Sequence, residues 1–360
     1  MKKIKFTLLA LITFIIIVSL GVHFNILGVK DKIYQSNPDI RVDLRNKALS
    51  LVAENTKPGN LDNDYKVKFL PDTQLIKLDL QKKKLTFSEY YNKKHPFHWK
   101  QNSFYIENLI DKILITNYLG EVYYSEINNF KKTKSKKLPL KLIQSNLLPP
   151  YRVLDTYAYN GKLFISYIEK KEDGCQKLHI SFAEMNFESL NFEKFFISEE
   201  CGRWIQGGRM VFYKHKNVDG ILFTASDVKQ DKVDNLPQDK NSIFGKILFI
   251  ELKSKKHLIF SMGHRSVQGL YVLKDLIISS EHGPRGGDEI NKIIFNKNYG
   301  WPVASYGEKY SIDNPKKLTY SNDHAAYNFK EPIYSYIPAI APSEIIKLPN
   351  SFSKIFQNNF

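Results

Sequence analysis

Short runs of three apolar residues closed by a hydroxyl residue recur along the chain. They are Ile113-Leu114-Ile115-Thr116, Leu163-Phe164-Ile165-Ser166, Ile221-Leu222-Phe223-Thr224 and Leu276-Ile277-Ile278-Ser279. Their starts lie 50, 58 and 55 positions apart. Continuously apolar runs of this length predict strands buried on both faces. Each follows a turn signal or charged pair, such as Asn160-Gly161-Lys162 or Asp219-Gly220. Each is followed by another strand-like run, for example Val122-Tyr123-Tyr124-Ser125 or Ile247-Leu248-Phe249-Ile250. Multi-strand units recurring at roughly 40–50 residues are the signature of a β-propeller. A sandwich would supply short strands but not the recurrence. The expected fold is all-β, a propeller over residues 61–360.

The first sixty residues have a different character. Lys2, Lys3 and Lys5 precede an uncharged stretch over 6–22 that extends apolar to Val29. A basic start followed by such a run predicts a secretory signal or a membrane anchor over 1–30. The basic flank places the rest of the chain on the exported side, periplasmic or extracellular, whether the segment is kept or removed. Residues 31–60 read as a polar stem with a short helical stretch near Arg45 to Ala53.

Composition narrows the function classes. The 360 residues are 42% apolar and 25% charged, which is globular, with a net charge of +16. The lysine clusters, such as Lys131-Lys132, fall in expected loops without interleaved aromatics, so nucleic acid is not an expected partner. Two cysteines, Cys175 and Cys201, stand 26 positions apart. In an exported protein they suit a disulfide; two buried thiols are the alternative.

Chemistry concentrates where the apolar runs end. The densest stretch is Ser280-Glu281-His282-Gly283-Pro284-Arg285-Gly286-Gly287-Asp288-Glu289. Glycine and proline there bare backbone carbonyls at a strand exit, and carboxylates flank them, a donor mix that suits calcium. A plain tight turn is the alternative. Three further marked loops are Gln206-Gly207-Gly208-Arg209, Ser226-Asp227, and 263–269 with His264 and Arg265. Loops from separate blades converging on one channel mouth predict a ligand site.

Taken in order, these residues resemble the soluble pyrroloquinoline-quinone (PQQ) sugar dehydrogenases, the glucose/sorbosone dehydrogenase family of six-bladed propellers. The resemblance runs through Gly207-Gly208-Arg209-Met210, Asp227, Gln238-Asp239-Lys240-Asn241-Ser242 and Gly245-Lys246-Ile247-Leu248. It continues through Gly263-His264-Arg265, Gln268-Gly269-Leu270, Glu281-His282-Gly283-Pro284 and Trp301-Pro302. It implies an exported quinoprotein that oxidises a sugar at its anomeric carbon, passing hydride to PQQ and electrons to an external acceptor. It implies that Asp227 orients a catalytic base and that Arg265, with Ser266 and Gln268, binds the cofactor. Gly283 and Pro284 would hold the cofactor's calcium, and Glu289 and Tyr299 a second calcium.

Two departures stand out. The base position is Ile205, and neither it nor Gln206 can take a proton; His215 and His264 are the nearest imidazoles in sequence. The segment Ile340-Ala341-Pro342-Ser343 resembles the entry to the family's last part, so the last blade is expected to be incomplete. The alternative function is a catalytically inactive, membrane-anchored propeller that binds a carbohydrate or a protein.

Overall fold

Two-residue hairpins set the local geometry. Asn160-Gly161 and Lys216-Asn217 each adopt positive φ at both central positions, the twist that matches antiparallel strands on either side. A computed structural model of the chain describes residues 104–128, 140–228, 235–308, 320–337 and 339–347. The predicted leader, the stem and the lysine clusters over 131–137 lie outside the described residues. Among the described residues no helix is long and apolar enough to cross a membrane.

The strands are β1 (Phe104–Asn108), β2 (Lys112–Asn117), β3 (Val122–Glu126), β4 (Lys141–Ser145), β5 (Arg152–Tyr159) and β6 (Lys162–Lys170). Then follow β7 (Gln176–Glu184), β8 (Ser189–Leu190), β9 (Glu193–Ile197), β10 (Gly207–His215), β11 (Val218–Ala225) and β12 (Lys246–Glu251). The last are β13 (His257–Met262), β14 (Val267–Leu273), β15 (Leu276–Glu281), β16 (Asp288–Lys292), β17 (Lys297–Asn298) and β18 (Tyr334–Tyr336). They form four sheets: β1-β2-β3-β4, β5-β6-β7-β9, β10-β11-β12-β13 and β14-β15-β16-β18. The fold is an all-β propeller, and the described residues build four blades where six were expected. The physical reason lies in the recurrence itself, since each repeated apolar run makes the second strand of one blade and four such runs make four blades. The final sheet carries four strands, although its outermost, β18, is only three residues long.

The predicted double burial of the repeated runs holds along β6, β11 and β15, each buried over most of its length. First strands make the main contacts across blades: β1 against β5, β5 against β10, and β10 against β14. They are therefore the innermost. Blades are also strapped to one another. The short β8, from the second blade's connection, pairs parallel to β4, and β17, from the fourth, pairs parallel to β13. Each strap covers an outer edge that would otherwise present unpaired backbone groups.

Three innermost strands carry a bulge near their start, between Val153 and Asp155, Gly207 and Met210, and Val267 and Gly269. The extra residue re-aims the side chains beside it. At the second of these, Gly208 has φ +82°, and a Cβ there would collide with the Leu154 side chain of the neighbouring blade. Between the second and third blades Phe164, Phe223, Phe244 and Leu248 form the core, and Ile205 belongs to it. Cys175 and Cys201 form a disulfide with Cα atoms 5.2 Å apart.

Candidate functional site

The mouth is built by the starts of β10 and β14 and the end of β15. Glu281, the last residue of β15, is 4% exposed, and its carboxylate accepts the backbone N–H groups of Arg265 and Ser266. The same carboxylate meets His264 Nδ1 at 3.1 Å, while His264 Nε2 meets Ser261 Oγ at 2.8 Å. His264 also stacks on Tyr299, with ring centroids 4.7 Å apart. A fully buried imidazole with both nitrogens engaged is a packing element, so His264 does not replace the missing base. His215 does not either. It closes the far end of β10, opposite Val218, among Phe249, Phe260 and Phe295.

Arg265 and Asp227 are brought together. The Asp227 N–H donates to Arg265 O at 2.7 Å, and Trp301 Nε1 donates to Asp227 Oδ2 at 2.7 Å. The Arg265 guanidinium lies over the Trp301 ring, 5.4 Å from its centroid, and donates to His282 O at 3.0 Å. Its Nε is buried without a hydrogen-bond partner among the described residues. Trp301 is fixed from behind by Gln238, whose amide nitrogen donates to Trp301 O at 2.6 Å. The Gln238 segment that carried part of the resemblance is thus a brace for the aromatic floor.

Ile205 points the other way. It is 1% exposed, packs against Gly202, and its carbonyl accepts Arg152 at 2.5 Å. Gln206, next in sequence, faces the mouth. Its Oε1 accepts from Ser266 Oγ at 3.2 Å and from Gln268 Nε2 at 3.5 Å, and Gln268 Nε2 donates to Ser266 Oγ at 2.7 Å. Gln206, Ser266 and Gln268 form one polar cluster from two blades.

The glycine-rich loop closes tightly. Gly283 N–H donates to Asp288 Oδ1 at 2.9 Å, and a Cβ on Gly283 would collide with Gly287 O. Asp288 Oδ2 also accepts the N–H of Ala341 at 2.6 Å, and His282 Nε2 meets Pro342 O at 2.8 Å. Asp288 therefore clasps the loop and pins the returning segment. Glu281 and Glu289 line a small cavity together with Gly263, Pro284, Tyr299 and Ser305. Burial, and then the charge of Glu281, hold Glu289 well above the ordinary carboxylate range. Among the described residues no group of three His, Cys, Asp or Glu side chains is arranged to hold a metal. The cavity's carboxylates and backbone oxygens are still the hard-cation donor type, and a cation would offset the two crowded carboxylates. The Tyr299 hydroxyl is committed to Lys292 O and to the N–H of Ile294, which leaves only its carbonyl for a ligand.

A second polar cluster escaped the sequence. Arg209 Nη1 donates to Asp155 at 2.8 Å and meets Glu344 at 3.2 Å, its Nη2 donates to Ser343 O at 2.8 Å, and its Nε donates to Gln268 O at 2.5 Å. Met210 N–H donates to the same Asp155 carboxylate at 2.9 Å. Burial pushes Asp155 up to about 7 despite Arg209, and pushes nearby Glu107 up to about 8. The cluster forms beside the bulges of β5, β10 and β14, and a bulge cannot be seen in residue types alone.

Comparison with known proteins places these elements. The sequence profile described as "Glucose / Sorbosone dehydrogenase" matches residues 101–360. The aldose sugar dehydrogenase YliI of Escherichia coli (strain K12) is 28% identical over 175 residues, which is 43% of this chain and 46% of the relative. Quinoprotein glucose dehydrogenase B of Acinetobacter calcoaceticus is 40% identical over 72 residues, 19% of this chain and 14% of the relative. The matched parts span less than half the length of these curated relatives. The crystal structure of the soluble aldose sugar dehydrogenase from Escherichia coli in its apo-form superposes with a TM-score of 0.56 at 21% identity, covering 71% of this chain and 77% of that one. That likeness establishes the shared fold. With the profile matched over most of its length, the chain belongs to the Glucose / Sorbosone dehydrogenase family.

Proposed function

We propose that this chain is a sugar dehydrogenase-like protein whose mouth binds PQQ and calcium and oxidises an aldose at its anomeric carbon. The observation that carries the reading is the unpartnered, buried Nε of Arg265, on a guanidinium already fixed by His282 O and Trp301. A permanently charged planar donor with a buried N–H to fill suits a quinone or carboxylate oxygen. The names of the relatives, an aldose sugar dehydrogenase and a quinoprotein glucose dehydrogenase, support the same assignment.

When bound, PQQ supplies a two-electron quinone that takes hydride from the sugar. The chain's own residues do the positioning. Arg265 orients the acceptor, while Gln206, Ser266 and Gln268 offer amide and hydroxyl partners for sugar hydroxyls. Gly283 and Pro284 would hold the cofactor's calcium through backbone carbonyls, and Glu289 with the Tyr299 carbonyl a second ion. Asp227, oriented by Trp301, keeps a carboxylate beside the floor. Oxidation to the lactone removes a hydride from the anomeric carbon and the proton of its hydroxyl, with electrons leaving to an external acceptor. The disulfide and the basic, apolar leader support an exported location, tethered or released.

One observation favours a second reading. Ile205 occupies the base position and is built into the core, so proton removal lacks the general base worth about 10²–10⁴ in rate. That observation points to a non-catalytic, membrane-anchored propeller that binds a carbohydrate or a protein. Reconstitution of the full chain with PQQ and calcium decides between them. A bound-cofactor spectrum with dye reduction on an aldose panel is the expected result. Binding without turnover establishes the second reading, and failure to bind PQQ removes the first.

A further inference from the structure

A cleft of about 350 Å³ opens beside the mouth, lined by Tyr151, Lys170, Gly174, Gln176, Arg203 and Trp204. Its volume lies in the usual range for small-molecule sites. Topology puts it on the same face as the mouth. Lys170 ends β6 and Gln176 begins β7, directly paired, at the end of the blade where β5 starts. That is also the end at which β10 starts. Trp204 is two residues from Gln206 in the polar cluster, at most ~8 Å along the backbone.

The cleft is rigidly built. The Cys175–Cys201 disulfide ties the β6–β7 turn to the 201–205 segment. Gln176 and Gly202 exchange backbone hydrogen bonds at 3.1 and 2.9 Å, and Gln176 Oε1 accepts the N–H of Ile205 at 3.3 Å. Gly174 sits at the turn with φ +84° and leaves one wall without a side chain. Because Ile205 turns into the core, Trp204 stands out, 70% exposed, at a left-handed φ of +60°. A bulky residue in that region is strained, and such strain persists where the surroundings over-determine it and concentrates at functional sites. A large exposed indole on a braced, strained backbone is a platform looking for a ring.

Charge sets the class of ligand. Lys170 lies over the Tyr151 ring at 5.1 Å, and Arg203 is exposed with no ion pair among the described residues. Among the described residues no carboxylate lines the cleft. We infer that this cleft is a subsite for an acidic saccharide, in which the exposed Trp204 stacks on a sugar ring and Arg203 and Lys170 pair with carboxylates. The choice of a saccharide over another ring-bearing anion rests on the sugar-binding reading of the adjoining mouth. The cleft's aromatic and cationic lining does not.

The test uses the full chain, with no cofactor added, titrated with trigalacturonate and with neutral maltotriose in an isothermal calorimeter. Saturable binding of trigalacturonate, weakened at higher salt and about tenfold or more weaker in Trp204→Ala, is expected. Arg203→Gln should lose the preference for the acidic trimer, and circular dichroism of both variants should match the parent. No saturable response, an equal response to maltotriose, or unchanged affinity in Trp204→Ala overturns the inference. PQQ titration of the same preparation is read separately, so saccharide binding without PQQ binding sinks the reading of the mouth and leaves the subsite standing.

Discussion

Arg209 on the third blade and Asp155 on the second are joined at 2.8 Å inside the channel, and Met210 N–H adds a second bond to the same carboxylate. The guanidinium then reaches across to the fourth blade at Gln268 O and to the returning segment at Ser343 O and Glu344. One side chain thus connects two neighbouring innermost strands and the segment that follows β18.

Removing Arg209 leaves the buried Asp155 carboxyl without its guanidinium donor. Leaving a buried polar group unsatisfied costs about 1–3 kcal/mol. Arg209→Ala should therefore lower the thermal midpoint sharply, while Lys162→Ala, at the exposed pair with Glu184, should barely move it. Parallel thermal melts compare the two.

The channel carboxylates make stability depend on pH. Asp155 at about 7 and Glu107 at about 8 hold protons in the folded protein that the unfolded chain releases near 4. Their contribution is complete below pH 4 and is lost as pH rises to 7 and 8. The midpoint should fall across that window, and Glu107→Gln should make the fall shallower. A flat profile in the parent would contradict this.

Calcium should stabilise the fold through the cavity of Glu281 and Glu289. A ligand at a hundred times its dissociation constant adds about 2.7 kcal/mol. Added calcium should raise the midpoint, a chelator should reverse the rise, and Glu289→Gln should lose most of the response. Magnesium, with its stricter octahedral demand, should act more weakly.

Arg265→Lys keeps the charge but loses the planar fork over Trp301. PQQ affinity, followed by absorbance, should drop by an order of magnitude or more if the mouth binds the quinone. Trp301→Phe should also weaken it, because Asp227 loses its indole donor and the floor loosens at a cost of about 1–3 kcal/mol.

The site was readable in part. Gly283-Pro284 and Arg265 carry recognisable residue types, and they do lie on one mouth. Ile205 was readable as the wrong residue for a base, but not as a core residue whose carbonyl holds Arg152. His264 was open as a replacement until its two nitrogens were seen committed to Glu281 and Ser261. The Asp155–Arg209–Glu344 cluster could not be found, because its members stand up to 189 positions apart and share no motif.

Local pattern alone determined the second strand of each blade and the hairpin at Asn160-Gly161, since hydrophobic runs and left-handed turns are properties of neighbouring residues. The number of blades among the described residues and the partners in the channel were decided by tertiary structure. So was the outward turn of Trp204 against the inward turn of Ile205. Side chains alternate along a strand with period two, and a single bulged residue reverses which face each one meets. Only the assembled sheets fix where those bulges fall.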